Sequence, residues 1–389
     1  IQGANESKDK PSTKFKFQHD RIQQAAYELI PELDRKNFHL EIGKNLFAKL
    51  NEDEIDHILF ELVNHLNDGY DPTKLNQDEQ EAVVRLNLQA GQKAFENNVI
   101  KTAKYYFSKG MTYIDNDQQS KFYNQFLVGL SESEYLLGEY DASEALFSEA
   151  VNAADSKLKK ADILSKKMAL YENTQRHQLA IDTAKEALGI LGMRFPKKVK
   201  QHHVLTELLK AKFSLRNKST DQLLNAPLMK DPEKILIMKI LMNLWGPAYL
   251  LQKQELLGFK ILRMVNLSIK YGNSIESALA YAFYGFVVSA QLKQYKTGCD
   301  FADLGKSLNI KLQDKTLRSK VIVIADGCVA HWGKPITKLY PNLFEAYSVG
   351  IEANDIIYAG YAATFMNRVN VWSAKNLNQT ISEAKGFLE

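Results

Sequence analysis

Residues 86–110, LNLQAGQKAFENNVIKTAKYYFSKG, decide the fold. They read as a helix pair in which Gly91, Ala103, Phe107 and Gly110 stand 12, 4 and 3 residues apart. The same small–aromatic–small signature returns further along the chain. A second pair, around Leu130, has the connector Leu137-Gly138-Glu139-Tyr140-Asp141-Ala142, then Phe147 and Ala150, with Ser143 at a position that alanine usually takes. A third, from about Ala161, supplies Ala180, Ala184 and Ala187 and stops in Leu188-Gly189-Ile190-Leu191-Gly192 before Pro196, as helices end. Looser copies follow at Tyr295, Gly298, Ala302 and Gly305, and at Leu377, Thr380, Ala384 and Phe387. Five copies in register are not chance.

These intervals resemble the tetratricopeptide repeat, in which small residues let two antiparallel helices touch and an aromatic ring plugs the gap. The start near Asn124 follows Val84 by 40 residues and the start near Ala161 follows Asn124 by 37, so the helices are longer than the roughly 34-residue norm. The resemblance implies an all-α fold, a tetratricopeptide-like α-solenoid. Ala103, Phe107, Tyr140, Phe147, Ala184, Ala187 and Ala302 are expected between paired helices.

Composition agrees. At 389 residues the chain exceeds one ordinary core and calls for several modules or a repeat array. Fifty Lys and Arg against 46 Asp and Glu, in mixed order, lack the concentrated basic stripe of a nucleic-acid binder. Cys299 and Cys328 form no CxxC and suit buried thiols in a reducing compartment, so a cytoplasmic location is expected. No uninterrupted apolar run of about 18 residues occurs, and no membrane span is expected. Residues 1–14 are polar without the order of a signal peptide, and read as a flexible lead-in.

Between Lys197 and Gly272 the repeat pattern lapses. Asp231 ahead of Pro232 reads as a cap with proline at the first helical position. Gly272 reads as a left-handed C-terminal cap, and Asn273-Ser274 as the cap of the next helix. The chain therefore divides into a lead-in (1–14), a small helical module (15–76), repeats (77–196), divergent helical pairs (197–272) and further repeats (273–389).

Residues 15–30, FKFQHDRIQQAAYELI, enter a helix near His19 with Ile22, Ala25, Ala26 and Leu29 on one side. This pattern resembles the end of the winged-helix subdomain of STAND-type signalling ATPases. Together with LGMRFP, APLMKDP and SIKYGNSIESALAYAFYGF, it is similar to the helical region of multi-sensor signalling kinases. Those proteins join a Ser/Thr-kinase-like domain, a STAND ATPase, helical repeats, a GAF domain and often a histidine kinase. The resemblance implies that ATP or ADP with Mg²⁺ belongs to an upstream domain and that this chain holds no cofactor. In related ATPases a winged-helix histidine reads the β-phosphate of ADP. His19 in Phe17-Gln18-His19-Asp20 is the matching residue; alternatively, Asp20 caps the helix and His19 packs at its start.

Other motifs carry less. Gly305-Lys306-Ser307 has Asp300 where a phosphate loop needs glycine, and it falls within a repeat helix, where Gly305 is a packing residue. His57 and His65 are two turns apart, about 12 Å, too far to share one metal ion.

In a solenoid the first helix of each pair lines the concave face. Projecting the repeat phase puts Arg85, Leu88, Gln92, Phe95 and Glu96 there, with Glu132 and Tyr135 from the second copy and Glu172 from the third. Phe95 and Tyr135 are expected to be exposed. This surface lacks the Lys and Asn clamp for a peptide carboxylate. It suits a protein or peptide with basic and aromatic anchors, or an ATPase or kinase domain of the same polypeptide. The expected function is a non-catalytic regulatory or sensor arm that by itself binds neither ATP nor ADP measurably. The alternatives are a part of an enzyme whose nucleotide or substrate site this arm completes, and a spacer.

Overall fold

The structure, a computed structural model, describes residues 20–114 and 122–373 and a few positions between 376 and 386. Residues 1–19, including the lead-in and His19, lie outside the described residues, as do Leu377, Thr380, Ala384 and Phe387 of the last expected repeat. Two compact units divide the chain, residues 1–149 and 150–389.

The first unit holds α1 (Asp20–Glu28), α2 (Glu32–Lys49), α3 (Glu52–Gly69), α4 (Gln77–Glu96), α5 (Ile100–Thr112), α6 (Tyr123–Leu136) and most of α7 (Tyr140–Ala153). The second holds α8 (Lys157–Asn173), α9 (His177–Ile190), α10 (Gln201–Leu215), α11 (Thr220–Leu224), α12 (Pro232–Asn243) and α13 (Trp245–Leu250). It continues with α14 (Gln254–Tyr271), α15 (Ile275–Leu292), α16 (Tyr295–Lys311), α17 (Arg318–Ile322), α18 (Tyr340–Glu352) and α19 (Ile356–Trp372). Among the described residues there is no strand, only one isolated parallel bridge between Leu228 and Asn273. The fold is all-α, built of sequential helix pairs: α2–α3, α4–α5, α8–α9, α15–α16 and α18–α19 pack on one another.

The small–aromatic–small spacing does what it implies. Phe107 is buried, and a Cβ added at Gly129 would stand 2.7 Å from its ring, while one at Gly91 would overlap it. Ala103, Phe147, Ala184, Ala187 and Ala302 are likewise buried. Ser143 replaces alanine at no polar cost, because its buried Oγ donates to the Ser131 carbonyl at 2.7 Å. Tyr140 departs from expectation. It opens α7 just after the turn at Gly138 and stands 42% exposed, its ring 5.6 Å from that of Tyr135.

In the second unit the divergent segment is an organised corner. Asp231 caps α12 by accepting from the Glu233 amide at 2.9 Å, with Pro232 first in the helix. Gly272 ends α14 at φ +99°, where a Cβ would strike the Pro227 carbonyl. Ser274 starts α15, its amide donating to Ser277 Oγ at 2.9 Å. Between them Asn273 exchanges backbone hydrogen bonds of 2.8 Å with Pro227 and Met229. α15 has the length and hydropathy of a membrane span, yet two-thirds of it (67%) is buried within the protein, as in a core helix.

Replacing Ala103 or Ala184 with leucine is expected to destabilise the protein by about 1–3 kcal/mol through overpacking, read as a lower urea midpoint. Unchanged midpoints would contradict the repeat phase.

Candidate functional site

The residues projected onto one concave face fall in two units. Arg85, Gln92, Phe95 and Glu96 belong to α4, and Glu132 and Tyr135 to α6, all in the first unit. Arg85 is exposed and lies 3.8 Å from the Glu52 carboxylate. Gln92 and Glu96 are exposed. Phe95, Tyr135 and Glu132 are half-buried rather than open, and Leu88 is buried. Leu88 turns inward because α4 packs against both α5 and α6 and so buries more than one flank.

Glu172 belongs to the second unit and faces its interior. A Cβ on Gly246 would run into its carboxylate, so α13 passes directly over it. Burial raises the Glu172 pKa, while Lys320 and Lys260 pull it back down. Lys260 is fully buried, its Nζ donating to the carbonyls of Leu241 at 3.1 Å and Met242 at 3.2 Å. The ammonium also lies 5.1 Å from the Trp245 ring centroid and 5.9 Å from that of Phe283. Burial pulls the Lys260 pKa down to about 7, with the Glu172 carboxylate opposing the shift.

Those two rings, their centroids 4.1 Å apart, are part of the wall of a cleft of about 990 Å³. Six elements contribute to it: α10, α13, α14, α15, α19 and a π-helix over Val323–Val329. Trp245, Tyr249, Phe283, Phe286, Tyr361 and Phe365 dominate the lining, and Gln201, His202, Gln254, Glu255 and Gln291 add polar groups. Phe286 is 36% exposed and Tyr361 44%. π-Helical turns are rare and occur often at functional sites. Here the turn presents Val323, Ile324 and Cys328 to the cleft while sending Asp326 into the core. Asp326 accepts from Lys306 Nζ at 2.8 and 2.9 Å and from Asn342 at 3.1 Å. Burial works against the Lys306 charge, but Asp326 and Asp303 together hold its pKa above the ordinary value. The lysine of Gly305-Lys306-Ser307 is thus a structural counter-ion, and Gly305 packs against α15, where a Cβ would sit 2.6 Å from the Ala278 carbonyl.

A second cavity, about 680 Å³, opens beside α10, α12 and α14 and is lined by Lys210, Lys218, Lys234, Arg263 and Lys270 around Glu207. His65 takes part in a ring contact: its Nδ1 lies 2.8 Å from His39 Nδ1, and burial followed by His39 lowers its pKa. Cys299 and Cys328 are free thiols, and burial pushes Cys328 up to about 11.

Sequence reasoning did not find the cleft. Its walls come from positions 201 to 365, and no local spacing links them. One signal was available: Asp326 interrupts the apolar run Val321–Val329, which marks a buried acid in need of a cation.

No protein-family model matches the sequence. Over 96% of its length the chain is similar to hybrid signal transduction histidine kinase G of Dictyostelium discoideum, with 22% identity over 425 residues. It spans 12% of that protein. Among solved structures it is similar to a signal transduction ATPase with numerous domains (STAND) from Pyrococcus horikoshii that carries a tetratricopeptide repeat sensor. That match has 13% identity and a TM-score of 0.36, covering 95% of this chain and 55% of the other. A score this low fixes no fold; the all-α assignment rests on the helices themselves. Both relatives are of the kinds that the sequence resembles.

The Lys260 environment has a pH signature. The unfolded chain keeps this lysine protonated up to its ordinary 10.5, whereas the folded protein releases the proton near 7. The unfolded state therefore binds more protons between those values, and stability rises with pH there. Between about pH 7 and 8.5 the urea midpoint is expected to climb, and Lys260→Met to flatten the climb. An equally steep rise in the variant would remove Lys260 as its source.

Proposed function

We propose that this chain is a non-catalytic regulatory arm of a larger signalling protein, and that it acts by holding an amphipathic helical segment of its own polypeptide in the aromatic cleft. The observation that carries this reading is the cleft itself: about 990 Å³, walled by part-exposed aromatic rings and edged with polar side chains. Aromatic side chains are favoured anchors at interfaces, and a helix laid in a groove presents apolar residues at i, i+3, i+4 and i+7 to such a wall. The similarity to a histidine kinase of which this chain spans 12% supports a place within a much longer polypeptide. Arg85, Gln92, Phe95, Glu96, Glu132 and Tyr135 supply a more polar contact surface in the first unit. Free thiols accord with a cytoplasmic location. The role of His19 as a phosphate sensor rests on the sequence resemblance and concerns a nucleotide held by another domain.

In this reading the bound segment restrains the parent's output. Phe286→Asp combined with Tyr361→Asp is expected to raise basal autophosphorylation of the full-length polypeptide several-fold, since a buried unpaired carboxylate opposes an apolar anchor. The isolated double variant should keep its helix content by circular dichroism, because both rings are part-exposed. Wild-type basal output in a folded variant would sink the proposal.

A further inference from the structure

We infer that the cavity beside α10, α12 and α14 binds a compact, multiply phosphorylated small molecule, at a site independent of the aromatic cleft. Its wall contains five cations and one carboxylate. That carboxylate, Glu207, is buried and already fully engaged. It accepts from Arg263 Nη1 at 2.8 Å, from Lys210 Nζ at 2.9 Å and from Asn266 Nδ2 at 2.8 Å. One negative charge thus stands against two positive ones at the inner wall.

Lys234 lies 3.6 Å from Glu233 and 4.0 Å from Asp231, and Asp231 is also engaged in capping α12. Lys218 and Lys270 form no ion pair among the described residues, and both are exposed. Counting these flanking acids, five cations face three carboxylates, an excess of two. That excess is not needed to neutralise the buried carboxylate. The buried Glu207 is satisfied without Lys218 or Lys270, and like charges gathered round a concavity repel one another. A polyanion in the cavity converts the repulsion into binding, with the lysines acting as point charges on phosphate oxygens.

Size and shape narrow the class. About 680 Å³ is ample for several phosphate groups on a small frame. The aromatic ring in the wall, Tyr271, already faces Lys270 at 4.9 Å and Lys234 at 5.8 Å, so stacking of a nucleobase would have to displace a cation. Phosphates on a non-aromatic frame fit better than a nucleotide.

Calorimetric titration of the chain with inorganic tripolyphosphate tests the assignment. One-to-one saturable binding is expected, weakened at least tenfold in the Lys218→Gln/Lys270→Gln double variant. The Lys49→Gln/Lys101→Gln control, which removes the same charge from exposed positions of the first unit, should bind as the wild type does. Circular dichroism should match in all three proteins. Absence of saturable binding, or equal weakening in both double variants, would overturn the site. So would binding of a doubly phosphorylated peptide with none of tripolyphosphate, since that would make the ligand a macromolecule.

Discussion

Everything in this protein depends on how closely its paired helices approach. Where Phe107 enters between Gly91 and Gly129, three helices meet around one ring, and a single methyl group on either glycine would part them. In the second unit α15 and α16 come into backbone contact where Gly305 meets the Ala278 carbonyl. Close approach brings the apolar stripes together, and burial of a large side chain contributes about 1.5–3 kcal/mol. Because a core is filled like a crystal, enlarging one contact position costs stability and cannot be absorbed by neighbours. The spacing of small residues therefore constrains the fold more tightly than its overall hydrophobicity does.

That constraint is also what the sequence made legible. Ala103, Phe107, Phe147, Ala184, Ala187 and Ala302 sit at intervals that paired helices require, and each is buried as expected. Capping was legible for the same local reason, at Asp231-Pro232 and at Gly272. The failures share a cause. Tyr140 lies at the first residue of α7, where a ring can leave the helix axis for the surface and meet Tyr135. Leu88 was placed by phase alone, but α4 has neighbours on more than one side. The aromatic cleft was invisible because α10, α13, the π-helix and α19 meet only after long intervening chain has folded. A π-turn shifts the register of Val323–Val329, so no 3.6-residue reading of that run predicts which side chains face outward.

The corner between Pro227 and Ser274 then ties together three elements of the second unit. Asn273 donates through Nδ2 to the Leu223 carbonyl at 2.7 Å and accepts from the Tyr281 hydroxyl at 3.1 Å, besides its two backbone bonds. One residue thus fixes the end of α11, the strap before α12 and the inner face of α15. Such a joint, buried and fully bonded, holds these three elements in one arrangement.

α14 is the element that the cleft and the basic cavity share. Leu257, Gly258, Ile261 and Leu262 line the first, while Arg263, Asn266, Leu267 and Lys270 line the second. At 100° per residue these sets occupy different flanks of one helix, and Lys260, one heptad before Leu267 and close to it in azimuth, is directed to the Leu241 and Met242 carbonyls. A rotation of α14 that improved contact with an anion would therefore move Gly258 and Leu262 in the cleft wall and strain the Lys260 hydrogen bonds. Occupants of the two sites would be coupled only as far as those buried bonds and the Asn273 corner permit. Coupling needs an element with two discrete positions rather than proximity alone. The ends of α14 are tied, at the Gly272 turn and at Lys253, whose amide donates to the Ala248 carbonyl at 2.9 Å, which favours one position. α14 is thus a common wall of the cleft and the basic cavity.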